Sequence, residues 1–166
     1  MVRKEFIYLQ FRFLCELTAL GCLAAHGDVA ETSSLKKKWQ AQEIMEALEK
    51  LNPDFYPSPV GKMMRQNEGI HFDVPVGKVI TKEEMFAVYG RSGNILHRGS
   101  LKNLLKAKNP LQNSFPDEAR IAQEFRNLLA GHRISLLDGE FQLICLFGLA
   151  NDPVTAVMAK ALREAV

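Results

Sequence analysis

The sequence predicts a mainly α fold: a single-domain helical bundle over residues 1–166, closed by one antiparallel β-hairpin near the C-terminus. Three observations carry that expectation. Apolar residues recur at three- and four-residue steps through most of the long segments, the period of a helix with one buried stripe. Thr81 with Glu84, and Ser114 with Asp117, have the spacing of capping boxes and mark helix starts. Asp138-Gly139 lies between two runs of alternating character, the strongest short-range sign of a hairpin.

Phe6, Leu9, Phe13, Leu17, Leu20 and Leu23 recur along residues 5–26, which predicts a long core helix with that stripe inward. His26-Gly27-Asp28 ends it, Gly27 serving as a left-handed cap. A lone His-x-Asp pair at a helix end reads as cap and turn rather than as a metal site. Thr32, Ser33 and Ser34 offer caps for a second helix over residues 35–51, with Trp39, Ile44, Met45, Leu48 and Leu51 inward. Lys36, Lys37 and Lys38 at its start oppose the helix dipole.

Three prolines in residues 52–60 exclude a regular helix and predict an extended crossing pinned by Phe55 and Tyr56. Residues 61–80 read as a loop with one short extended piece, which holds His71 and Asp73 without a third ligand nearby. The Thr81 box starts a helix at Lys82, with Met85, Phe86, Val88, Tyr89, Ile95 and Leu96 inward and Gly90 and Gly93 as weak points. Gly99 reads as its C-terminal cap, and Ser100 as the start of a short helix that Asn109-Pro110 ends.

The Ser114 box opens a helix over 115–130 with Ile121, Phe125, Leu128 and Leu129 inward, and Gly131 stops it. In the hairpin that follows, a two-residue turn sets His132 opposite Cys145, Ile134 opposite Leu143 and Leu136 opposite Phe141 on the face turned to the helices. His132 is expected to be a satisfied, partly buried histidine rather than the base of a Cys145 nucleophile. Asn151-Asp152-Pro153 caps a last helix with Val154, Val157, Met158, Ala161 and Leu162 inward.

Composition narrows the functional classes. At 47% hydrophobic and 24% charged, the chain is typical of a soluble globular domain and long enough for a real core. Cys15, Cys22 and Cys145 are odd in number and form no CxxC pair, so they are expected reduced, in a cytoplasmic protein. Arg12 and Glu16 interrupt the apolar N-terminal stretch, and the sequence therefore predicts neither a signal peptide nor a membrane span. There is no Gly-rich phosphate loop, GxSxG elbow or HExxH, and no metal or cofactor is expected.

The sharper pattern is electrostatic. Between Met85 and Pro116 there is no Asp or Glu, while Arg91, Arg98, Lys102, Lys106 and Lys108 supply five positive charges. With the whole chain at +2, that +5 leaves −3 elsewhere. Such concentration predicts a basic face over residues 91–108 for an acidic partner, RNA or an acidic protein. The leading expectation is a binding or assembly module, with Arg98, Lys102, Lys106 and Lys108 as the contacts.

Arg91 and His97, and again Arg126 and His132, stand with five residues between them. This spacing resembles the Arg-to-His motif of the HEPN superfamily, mainly helical domains found in many bacterial toxin and phage-defence ribonucleases. The resemblance implies metal-independent cleavage of RNA, often at a site formed across a dimer, and hence a homodimer. By that resemblance Arg91 would stabilise phosphate charge and His97 would transfer protons.

Overall fold

The computed structural model describes residues 4–27, 38, 40–66, 69–96, 116–137, 139–147 and 153–160. Within them the chain forms four helices, α1 (Lys4–Ala25), α2 (Ala41–Leu51), α3 (Lys82–Leu96) and α4 (Pro116–Ala130). Six strands accompany them: β1 (Ser58–Pro59), β2 (Met63–Gln66), β3 (Gly69–Phe72), β4 (Gly131–Ser135), β5 (Phe141–Leu146) and β6 (Thr155–Lys160).

The strands build a four-stranded antiparallel sheet in the order β1-β4-β5-β6 and a separate β2-β3 hairpin. The protein is therefore α+β, and the expectation of a mainly α bundle with one C-terminal hairpin is overturned. Three segments account for the difference. The Pro-rich crossing joins the sheet as β1, where Ser58 pairs with Arg133 and Pro59 with His132. Proline is tolerated there because β1 is an edge strand. Residues 63–72 form a hairpin where one extended piece was expected. The expected last helix is strand β6, paired along its length with β5 from Phe141↔Lys160 to Leu146↔Thr155.

Local signals hold up better than global ones. Thr81 Oγ1 accepts the Glu84 backbone N–H (3.2 Å), and Glu84 Oε2 accepts the Thr81 N–H (3.1 Å), the reciprocal bonds that a capping box requires. Helix α3 starts at Lys82 as its box predicts, and it runs without a break through Gly90 and Gly93. The hairpin register is also as predicted, with His132↔Cys145 and Ile134↔Leu143. Its turn differs: the Gly139 N–H reaches the Leu136 carbonyl and the Leu136 N–H reaches that of Phe141, which leaves four residues between the paired ends. Gly139 takes the left-handed φ of 65° that this turn needs. Ser114 lies outside the described residues, as do 28–37, Trp39 and 97–115.

Helix α1 lies against α2, α3 and α4, and the largest core cluster forms around it. Phe11 on α1 stacks on Phe125 of α4 with centroids 6.2 Å apart. Phe55 in the crossing segment is fully buried, as its pinning role predicts. Gly131 passes from α4 straight into β4. A Cβ there would meet the Val60 carbonyl oxygen at 3.1 Å and Leu146 at 3.3 Å, so a side chain at this junction would push its neighbours by a few tenths of an ångström.

Helix α1 buries a different face from the one expected, although Leu23 of the predicted stripe does pack against the core. Tyr8, Phe11, Cys15, Thr18, Ala19 and Cys22 are inside. Phe6, Phe13, Leu17 and Leu20 of the predicted stripe are outside. Small side chains on the buried face let α1 and α3 approach closely: Cys15 Sγ lies 3.7 Å from the Met85 carbonyl oxygen, and Ser92 of α3 is wholly buried.

Candidate functional site

The helix pair α1 and α3 positions the described part of the predicted basic face. Arg91 lies in the C-terminal half of α3 and is exposed, and its Nη1 donates to the hydroxyl of buried Tyr8 at 3.4 Å. That bond raises the guanidinium pKa further, although desolvation opposes it. Glu118 on α4 is buried beside this group and pairs with Lys4 at 2.9 Å. Burial pushes its carboxyl up, but Lys4, its own backbone N–H and the Tyr8 hydroxyl outweigh burial and hold it below the usual range. Glu118 is therefore an anion already matched by Lys4, and Arg91 keeps its charge facing solvent.

The acids at the start of α3 sit in an ion-pair network. Glu84 pairs with Lys78, and Lys82 pairs with Glu49. Buried Glu124 is held by Arg120 at 2.8 Å and by Lys78 at 3.3 Å. Arg91 stands in the opposite half of α3 from these pairs. Its companion on α1, Arg12, is spent differently: it pairs with Glu16 at 3.0 Å, donates to the Tyr89 hydroxyl at 3.0 Å, and lies over that ring at 4.7 Å.

Of the predicted site residues, only Arg91 falls among the described ones. His97, Arg98, Lys102, Lys106 and Lys108 lie outside them. Sequence reasoning did not foresee that Arg91 of α3 comes together with Tyr8 and Lys4 of α1 and Glu118 of α4, because segments so far apart in the chain share no local pattern.

The second Arg-to-His pair is separated by the fold. Arg126 is exposed on α4, whereas His132 is buried in β4 beyond the end of that helix. His132 stacks on Phe147 (6.0 Å between centroids), and its Nδ1 has no hydrogen-bond partner among the described residues. The histidine is thus buried as expected but not satisfied. Burial lowers its pKa, against the opposing effect of a bond to the Leu128 backbone. Cys145 across the ladder has its thiol pKa raised by burial. An activated Cys-His pair needs the opposite shift in the thiol, so the two do not form a nucleophile and base.

His26 is bonded at both ring nitrogens, Nδ1 to the Cys22 carbonyl (2.8 Å) and Nε2 to Asn52 Nδ2 (2.9 Å). Asn52 Nδ2 also donates to the Ser135 carbonyl at 2.7 Å. The ring therefore locks the end of α1 to α2 and β4 and has no lone pair free for a metal. No group of three or more His, Cys, Asp or Glu among the described residues could hold one. His71 is exposed on β3.

A polar cleft of about 380 Å³ opens between residues 53–58 and β4, lined by Pro53, Asp54, Tyr56, Ser58, Arg133 and Ser135. Tyr56 donates its hydroxyl to the Ile80 carbonyl at 3.1 Å, and burial raises the phenol pKa, so it supplies no base there. No protein-family model, curated protein or solved structure matches this chain.

Proposed function

We propose that the protein is a non-catalytic binding or assembly module whose basic face, over residues 91–108, engages an acidic partner. The observation that carries this reading is the solvent exposure of Arg91 at the head of a run of cations. It is exposed, its buried neighbour Glu118 is paired with Lys4, and Glu84 and Glu83 at the start of α3 are paired with Lys78 and Lys82, while Asp117 and Glu118 help to hold the charge of Arg91. Beyond Arg91 the sequence adds four more cations and no acid before Asp117. A cationic run of this kind draws polyanions chiefly through counterion release.

RNA is the first partner to test. Purified protein mixed with labelled single-stranded RNA should bind with an affinity that falls more than about tenfold between roughly 50 and 200 mM salt. The double variant Lys102→Glu/Lys106→Glu should remove most of that binding. Affinity indifferent to salt or to the charge reversal would sink the proposal. The same samples, held in EDTA, read out the ribonuclease alternative built on Arg91 and His97: RNA cleaved by the wild type and left whole by His97→Ala would establish catalysis instead.

A further inference from the structure

Seven residues of α1 face solvent: Phe6, Gln10, Phe13, Leu17, Leu20, Gly21 and Ala24. None carries a charge. Phe6, Phe13, Leu17 and Leu20 are 57%, 47%, 64% and 48% exposed, an uncovered apolar stripe on a helix whose other face is already in the core. Leaving out Gly21, the exposed positions advance in alternating steps of four and three residues from Phe6 to Ala24. That is the spacing of a coiled-coil seam, in which apolar positions recur every 3.5 residues on average.

The seam is also its own complement when reversed. Set antiparallel against a copy of itself, Phe6 meets Ala24, Gln10 meets Leu20 and Phe13 meets Leu17, so each phenylalanine faces a smaller side chain. A Cβ at Gly21 would touch nothing within 4 Å, which leaves room beside Ala24 for the incoming ring. Gln10, the one polar seam residue, lies near the end of the seam opposite Leu20, where its amide must stay at the solvated edge of the contact. The four large side chains expose about 400 Å² per copy. Two copies therefore bring about 800 Å² of apolar side chain to the contact, and flanking residues must supply the rest of the roughly 1,000 Å² at which a specific interface becomes credible.

We propose that this face is a homodimer interface, with α1 packed antiparallel on α1 of a second copy. A bilayer is the competing occupant, since α1 is long and apolar enough to cross a membrane by length and composition. To cross one, however, α1 would have to withdraw Tyr8, Phe11, Cys15 and Cys22 from the core. A helix lying on a membrane surface carries excess Lys and Arg beside its apolar stripe. Here the flanking Arg12 is paired with Glu16, and Lys4 with Glu118.

The proposal rests on the exposed positions of α1 alone and does not depend on the acidic-partner reading. Sedimentation of the full chain over a range of micromolar concentrations should give the mass of two chains. Leu17→Glu should give one, with its dissociation constant raised about 100-fold or more, since each copy would bury an unpaired charge. Its circular dichroism should match the wild type, because Leu17 lies outside the core. To read orientation, Phe13→Cys and Leu17→Cys proteins, each also carrying Cys145→Ser, are mixed and oxidised. A disulfide between positions 13 and 17 of different copies is expected. A single-chain wild type, including one that floats with phosphatidylcholine vesicles, overturns the proposal. So does a dimer that survives Leu17→Glu, or a cross-link from 13 to 13.

Discussion

Burial at the junction of α4 and β4 gives His132 a pH dependence that an exposed imidazole lacks. Its pKa is lowered first by desolvation, so the folded state resists protonation more than the unfolded state does. The unfolded chain therefore binds the extra proton as pH falls below the ordinary histidine value of about 6.5, and stability drops through that window. Above it both states are neutral and the group has no effect. Urea unfolding midpoints should fall between pH 7.5 and pH 5.5 by more in the wild type than in His132→Gln, which keeps a donor for Leu128 but does not titrate. Equal losses in the two proteins would assign the acid sensitivity elsewhere. The position of His132 opposite Cys145 was legible, since Asp138-Gly139 and the alternating runs fix it. Its unpartnered Nδ1 was not, because that depends on Phe147 across the ladder and on Leu128 one turn back in the helix.

At the scale of elements, α1 shows where hydropathy misleads. Both of its faces are apolar, and the stripe with the larger residues, Phe6, Phe13, Leu17 and Leu20, is the one turned outward. Side-chain volume makes the choice: Cys15, Ala19 and Cys22 allow close approach to α3, which a line of phenylalanine and leucine would prevent. Ala19→Leu should therefore cost about 1–3 kcal/mol by overpacking, and Phe11→Ala about 3–5 kcal/mol by leaving a cavity against Phe125. Chemical denaturation of both variants measures this, and losses under about 0.5 kcal/mol, typical of surface positions, would contradict the buried face. Strand β6 went unread for a related reason. Val154, Val157, Met158, Ala161 and Leu162 fit a helical period, but the free edge of β5 offers a full ladder of hydrogen bonds that no local pattern encodes. The capping box at Thr81 was legible because all of its partners lie within four residues.

For the whole molecule the question is whether helices and sheet unfold together, as a single domain over residues 1–166 would. The buried cysteines give a direct readout. Cys15 and Cys22 are wholly buried on the face of α1 turned to the core, and burial pushes both thiols up to about 12. Neither can meet a reagent until α1 leaves α3. Cys145 on β5 is only half-buried, with a thiol raised by burial, so it should react slowly in the native state. In mildly alkaline buffer with Ellman's reagent, native protein should thus show one slow thiol and two that are protected. As urea is added, those two should become reactive along the same transition that removes the circular dichroism signal, because opening of a single cooperative unit exposes every buried site together. The sheet meets the helices through α4 against β1 and β4, and His26 and Asn52 tie the ends of α1 and α2 to the Ser135 carbonyl of β4. Those ties predict coincidence of the two transitions. Reaction of Cys15 and Cys22 at urea concentrations well below the loss of circular dichroism would show instead that α1 separates first and that the chain is not one cooperative unit.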